Sequence, residues 1–124
     1  MSKAGIYIIR PTTVFDEWLR KIKDPIAKAT IVKRINRAKK GNFGDHKFLG
    51  DEIWEMRIDT GKGYRVYYAQ RGEVFYLLIC GGDKTTQQAD IEKAISMLEE
   101  IKAQENGQIS LTDLRRIKNG KSIR

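Results

Sequence analysis

A chain of 124 residues, 40% hydrophobic and 32% charged, has room for one hydrophobic core and is too apolar for a disordered segment. It contains no run of about eighteen apolar residues, and Met1 to Arg10 lacks the apolar stretch and small-residue cleavage site of a secretory leader. Neither a membrane span nor export is therefore expected. Lysine and arginine number 24 against 16 aspartate and glutamate, a net charge of +8. That balance favours a polyanionic partner such as RNA, DNA or an acidic protein, the plainer alternative being solubility. The single cysteine, Cys80, cannot close an internal disulfide and suits a reducing cytoplasm.

In chain order, Ile6 to Ile9 reads as a first strand ended by Arg10 and Pro11. Thr13 is placed as a helix N-cap with Asp16 in the first turn. Val14, Phe15, Trp18, Leu19 and Ile22 then recur at helical spacing and form one apolar face. Asp24 caps a second helix, with Pro25 at the first helical position, where its missing N–H costs nothing. That helix is expected to reach about Lys40, with Gly41 as its stop and Ala27, Ile31, Ile35 and Ala38 buried. A loop over Gly41 to Asp45 follows. Ile53 to Asp59 alternates, with Trp54, Met56 and Ile58 on one side and Glu55, Arg57 and Asp59 on the other. Thr60 to Gly63 is a turn, Tyr64 to Gln70 a strand, and Arg71-Gly72 another turn. Val74 to Cys80 is an apolar strand at the sheet's centre, covered on both faces and ended by Gly81-Gly82. A last helix starts near Thr86 or Gln87, buries Ile91, Ile95, Leu98 and Ile101, and stops at Asn106-Gly107.

The order of strand, two helices, antiparallel meander and helix defines an α+β domain with its helices grouped against one sheet. The domain is drawn over residues 1–105. Residues 106–124 form a basic appendage in which Ser110 could cap a short helix carrying Leu111, Leu114 and Ile117. Helices of that length are marginal alone, so the appendage reads as a frayed tail or as a segment ordered by RNA or protein.

Four segments stand in a recognisable order: Gly41-Asn-Phe-Gly-Asp45, Trp54-Glu-Met-Arg-Ile58, Gly63-Tyr-Arg-Val-Tyr67 and Cys80-Gly-Gly-Asp-Lys84. Together they resemble the RelE/ParE toxin superfamily, and within it the phage-derived, HigB-like addiction-module killer proteins. The resemblance spans roughly Ile6 to Glu100. It implies a RelE-like fold, a cognate antitoxin (often a helix-turn-helix protein), a toxin–antitoxin hetero-oligomer, and ribosome-dependent cleavage of mRNA in the cytoplasm. ParE relatives instead poison DNA gyrase by binding, so the fold does not choose the target. A relative that binds RNA or antitoxin without catalysis is a third reading.

Ribonucleolytic cleavage by attack of a 2′-hydroxyl needs a base, cations for the developing charge and a donor for the leaving oxygen, but no metal or cofactor. The chain has no metal-ligand set, no phosphate-binding glycine loop, and only His46 to serve a serine or cysteine nucleophile. A turn centred on Gly61 puts Arg57 opposite Arg65 on one sheet face. Opposed like charges cost about 0.2–1 kcal/mol, which makes sense if an anion sits between them. The resemblance places basic catalytic residues at both positions; surface arginines, with Arg57 paired to Glu55 or Asp59, are the alternative. Glu55 projects from the same face, as a general base or as an ion-pair partner.

Lys84 aligns with a basic catalytic position of RelE relatives, and Lys47 with a basic position of HigB-like ones. The family's base-stacking tyrosine falls near Asp90, which cannot stack. Tyr67 projects beside Arg65 and could take that role or pack in the core. His46 is read as a loop residue. Lys33, Arg37 and Lys40 fall at i, i+4, i+7 and form a basic stripe, with Arg34 and Lys39 nearby. The stripe is either a solvated face or a grip on RNA phosphates. Trp18 and Trp54 are assigned to the core.

Overall fold

The structure, a computed structural model, describes residues 7–73 and 75–105. It is a mixed α+β domain of β1 (Ile8–Pro11), α1 (Thr13–Lys21), α2 (Pro25–Ala38), β2 (His46–Gly50), β3 (Ile53–Ile58), β4 (Tyr64–Gln70), β5 (Phe75–Asp83) and α3 (Gln87–Glu105). The strands form one sheet in the order β1-β5-β4-β3-β2. Only the β1–β5 pair is parallel. The appendage of residues 106–124, including the expected stop at Asn106-Gly107, lies outside the described residues, as does Ile6.

The helices divide between the two faces of the sheet. On one face, Phe15 of α1 and Ala27, Ile31 and Ala38 of α2 pack against Met56, Ile58, Val66 and Tyr68. On the other, Ala94 and Leu98 of α3 pack against Ile53, Tyr67, Ile79 and Cys80. Ile91, Ile95 and Ile101 are half-buried, while Ala94 and Leu98 are the residues of α3 pressed to the sheet. A bulge in β5 opposite Tyr67 and Tyr68 sends two successive side chains, Ile79 and Cys80, to the α3 face. Ion pairs of Glu52 with Arg71 and Lys102, and of Arg71 with Glu105, tie the end of α3 to two turns of the sheet.

Several boundaries differ from the sequence reading, each for a tertiary reason. The first strand continues through Arg10 and Pro11, because β1 is an edge strand and tolerates a missing N–H. The cap of α1 is Thr12 rather than Thr13. Its hydroxyl accepts from Phe15 N (3.0 Å) and donates to Ile79 O (2.6 Å), satisfying the helix start and a strand carbonyl at once. Asp24 caps α2 as expected, accepting from Ile26 N and Ala27 N, but the helix ends at Ala38, two residues short of Lys40.

Residues 46–50 form β2, an edge strand that sequence reading leaves without a structure. Lys47 and Phe48 are both exposed, so the segment lacks an apolar alternation of its own and is held by pairing to β3. Gly81-Gly82 does not end β5. The strand runs on to Asp83, with Gly81 under the Trp18 ring and Gly82 under Asp90. Nor is β5 central; β4 is, with β5 between β4 and β1.

Cys80 is 1% exposed, its thiol facing Asp90 O at 3.6 Å. Burial pushes the thiol up to about 12. A folded-state value above the ordinary 9.0 adds stability that is fully present below pH 9 and is lost as pH rises toward 12. The folded protein is therefore expected to resist iodoacetamide at about pH 8, where an exposed thiol reacts, and to be alkylated once denatured. Alkylation of the native protein at the denatured rate would show that this part of the core is open.

Candidate functional site

The site lies on the α3 face of the sheet, toward the β3–β4 turn. Two left-handed glycines, Gly61 (φ +59°) and Gly63 (φ +82°), shape that turn and fix the register of β3 on β4. Arg57 is paired with Arg65 and Glu55 with Tyr67, as the alternation requires. From the flanking strands, Lys47 lies opposite Glu55 and Gly82 opposite Arg65. Lys84 N–H donates to Gly63 O (3.2 Å), and its aliphatic stem covers Gly63. The structure thus brings Lys47, Glu55, Arg57, Arg65 and Lys84 to one end of one face.

Glu55 is fully buried. Its carboxylate accepts from Arg57 Nε (3.1 Å), Tyr67 OH (3.2 Å) and Gln87 Nε2 (2.7 Å). The carboxylate is thus engaged by three donors and closed to solvent, with Arg57 held by one of those contacts. Tyr67 is likewise fully buried, so the core reading fits its position and its ring is closed to a base. Burial first, and Glu55 second, hold its hydroxyl far above the usual tyrosine range, so it stays a neutral donor.

The arginines differ in what binds them. The Arg57 side chain is 37% exposed, and only its Nε is engaged, which leaves both terminal nitrogens open among the described residues. The Arg65 side chain has no hydrogen bond or ion pair among the described residues, and its Nε is buried without a partner. A buried donor without an acceptor is costly unless a ligand supplies one. With Glu55 balancing one of them, the pair carries a surplus positive charge and N–H donors without acceptors among the described residues, chemistry suited to a phosphate.

Other residues fall elsewhere. Lys33, Arg37 and Lys40 are exposed, but they stand on α2 and the turn after it, and α2 covers the opposite face. Arg34 is committed to structure: it donates to Arg57 O (2.6 Å), Phe43 O (3.0 Å) and Asp45 O (3.3 Å), and burial lowers its pKa. His46 is on strand β2 rather than in a loop. Its ring packs on Phe43 and Trp54, and its Nδ1 lies 2.7 Å from Gly44 O. It pairs with Met56, which faces the α1–α2 core, so it points away from the arginines. Trp18 and Trp54 pack against that core but are only partly buried. Asp90 accepts from the Thr86 hydroxyl within the first turns of α3, so no ring is present there.

Sequence reasoning placed Gln87 at a helix start and Arg34 beside the basic stripe, but missed what each holds. Each acts through a contact 23 or more residues away, on Glu55 or on the backbone of Arg57. No local pattern marks such a role. Among the described residues no three His, Cys, Asp or Glu side chains converge as a metal ion requires, and no helix is long and apolar enough to cross a membrane.

The domain is thus a five-stranded sheet with helices on both faces and an arginine pair on its β3–β4 hairpin. Residues 17–102 match the family described as phage-derived protein Gp49-like (DUF891), and the chain belongs to that family. The family falls within the broader RelE/HigB-like toxin grouping. A relative from Haemophilus influenzae, described as an uncharacterized protein, is 50% identical over 93 residues, 75% of this chain and 94% of that protein. The matched span holds Glu55, Arg57, Arg65 and Lys84 and stops before residues 106–124.

Proposed function

We propose that the chain is the toxin of a type II toxin–antitoxin pair, of the HigB-like branch, and cuts mRNA on the ribosome as a metal-independent endoribonuclease. The observation that carries the reading is Arg65, a guanidinium without a partner among the described residues, opposed to Arg57 on an open sheet end. A scissile phosphate seated there would accept from both arginines. As the 2′-hydroxyl attacks phosphorus, its proton passing to water, and the bond to the 5′-oxygen breaks, that oxygen taking a proton from water, negative charge grows on the non-bridging oxygens, and donors already in place stabilise it. Lys47 and Lys84 bracket the pair and suit the adjoining backbone phosphates. Glu55, held by Tyr67 and Gln87, positions Arg57. The α2 stripe of Lys33, Arg37 and Lys40 faces elsewhere and suits ribosomal RNA. The partners are a helix-turn-helix antitoxin, the ribosome and mRNA, in the cytoplasm.

The test is mapping of mRNA ends by primer extension in a cell-free translation reaction with the purified protein. New ends that require active ribosomes are expected. Translation that proceeds without new ends would overturn the reading, and gyrase supercoiling would then test a ParE-like poison. A second expectation concerns Glu55→Gln, which keeps the shape of the site but loses the charge that fixes Arg57. Its cleavage rate should fall on the order of tenfold, the loss of about one charge-assisted hydrogen bond. A Glu55→Gln protein cutting at the wild-type rate would remove Glu55 from the site.

A further inference from the structure

A cleft of about 450 Å³ opens on the α1–α2 side of the sheet, next to the β3–β4 turn. Its walls include the half-buried Trp18 and Tyr64, which is only 6% exposed, with ring centroids 6.3 Å apart and planes inclined at 64°. Around it stand Lys21, Lys23 and Lys62. The acidic groups of the cleft are largely engaged. Asp83 pairs with Lys62 at 3.4 Å, and Asp24 Oδ1 accepts from the first amides of α2. Asp24 Oδ2 has no hydrogen bond among the described residues and faces the Gly61 turn. Lys21 reaches only the exposed Glu17 (3.5 Å), and Lys23 has no ion pair among the described residues. Aromatic rings beside cations that lack strong partners are the combination that holds single-stranded nucleic acid, the rings taking a base and the cations its phosphate.

The cleft's place in the fold links it to the arginine pair. Tyr64 and Arg65 are consecutive in β4, as Asp83 and Lys84 are at the end of β5, and in each pair the first residue serves the cleft and the second the arginine face. The two sites are therefore back to back at one end of the sheet. We propose that this cleft is a second RNA subsite, which takes a nucleotide of the same strand flanking the phosphate bound by Arg57 and Arg65. The base lies against Trp18, which Tyr64 backs from the core, its phosphate meets Lys21 and Lys23, and Asp24 Oδ2 accepts from a base N–H. The inference rests on the ribonuclease reading for its linkage to cleavage, but not for the binding of a nucleotide.

The test uses the isotope-labelled full chain and a short RNA with 2′-O-methyl groups, which cannot be cut. The indole N–H resonances of Trp18 and Trp54 report separately on the cleft and on the aromatic cluster beyond α2. Saturable movement of the Trp18 signal is expected, with affinity at least about tenfold weaker in the doubly substituted Lys21→Glu/Lys23→Glu chain. An abasic strand of the same length should leave Trp18 largely unmoved. In end-mapping, the double variant should still cut, with lower kcat/KM and a changed distribution of flanking bases. An unmoved Trp18, an equal shift from the abasic strand, or unchanged ends in the double variant would each overturn the subsite. If Trp18 responds as expected but neither protein produces ends, the nuclease reading fails and the nucleotide site stands alone.

Discussion

Arg65→Ala is expected to abolish mRNA cleavage, lowering the rate by about 10²–10³, the typical cost of removing one preorganised donor from a developing anion. The same substitution should leave the fold intact. The Arg65 side chain gives up no hydrogen bond or ion pair among the described residues. Its removal also relieves the repulsion from Arg57 across the strand pair, about 0.2–1 kcal/mol. The expected pattern is thus loss of activity with an unchanged or slightly higher melting temperature, which separates a ligand-binding arginine from a structural one. Primer extension and thermal unfolding on one preparation would check both halves. A variant that still cuts, or that melts several degrees lower, would remove the phosphate from between the arginines.

Gly81→Ala is expected to be the more damaging change to the fold. A Cβ at that position would lie 2.5–2.6 Å from three carbons of the Trp18 indole. That ring is rigid and is wedged beside Phe15 (centroids 5.5 Å) and Tyr64, so relief requires α1 to move off β5. Overpacking of this kind costs about 1–3 kcal/mol, and in a domain of this size each kcal/mol lowers the melting temperature by roughly 4 °C. Gly82→Ala makes a useful comparison. The first atom in its way is the tip of the Asp90 side chain, at 1.8 Å, which can swing aside with loss of its bond to Thr86. A smaller loss is expected there. Thermal or denaturant unfolding of the two variants would give the ranking, and a Gly81→Ala protein as stable as wild type would show that Trp18 is not pinned to the strand.

These two glycines also show where local reading stops. In sequence, Gly-Gly after an apolar run is a strand terminator. In the fold it is the place where a tryptophan from α1 and an aspartate from α3 approach β5 from opposite sides, and the absence of side chains lets the strand continue between them. β2 was hidden for a related reason. An edge strand with exposed Lys47 and Phe48 has no buried face to impose alternation, so only its pairing to β3 reveals it. Similarly, the spacing of Lys33, Arg37 and Lys40 marks an exposed stripe, but not which side of the sheet its helix covers.

What the sequence determined by itself is the set of features governed by short-range periodicity. They are the three helices, the β3–β4 hairpin with its glycine turn, and hence the opposition of Arg57 and Arg65 with Glu55 on the same side. Side-chain alternation has a period of two, so one turn fixes the facing of every residue in a hairpin. Tertiary structure alone decided which of those residues meet solvent. Gln87 and Tyr67 close over Glu55, whose carboxylate they share with Arg57, while no described residue offers an acceptor to the buried Nε of Arg65. Burial depends on contacts between segments tens of residues apart, and no local pattern encodes them.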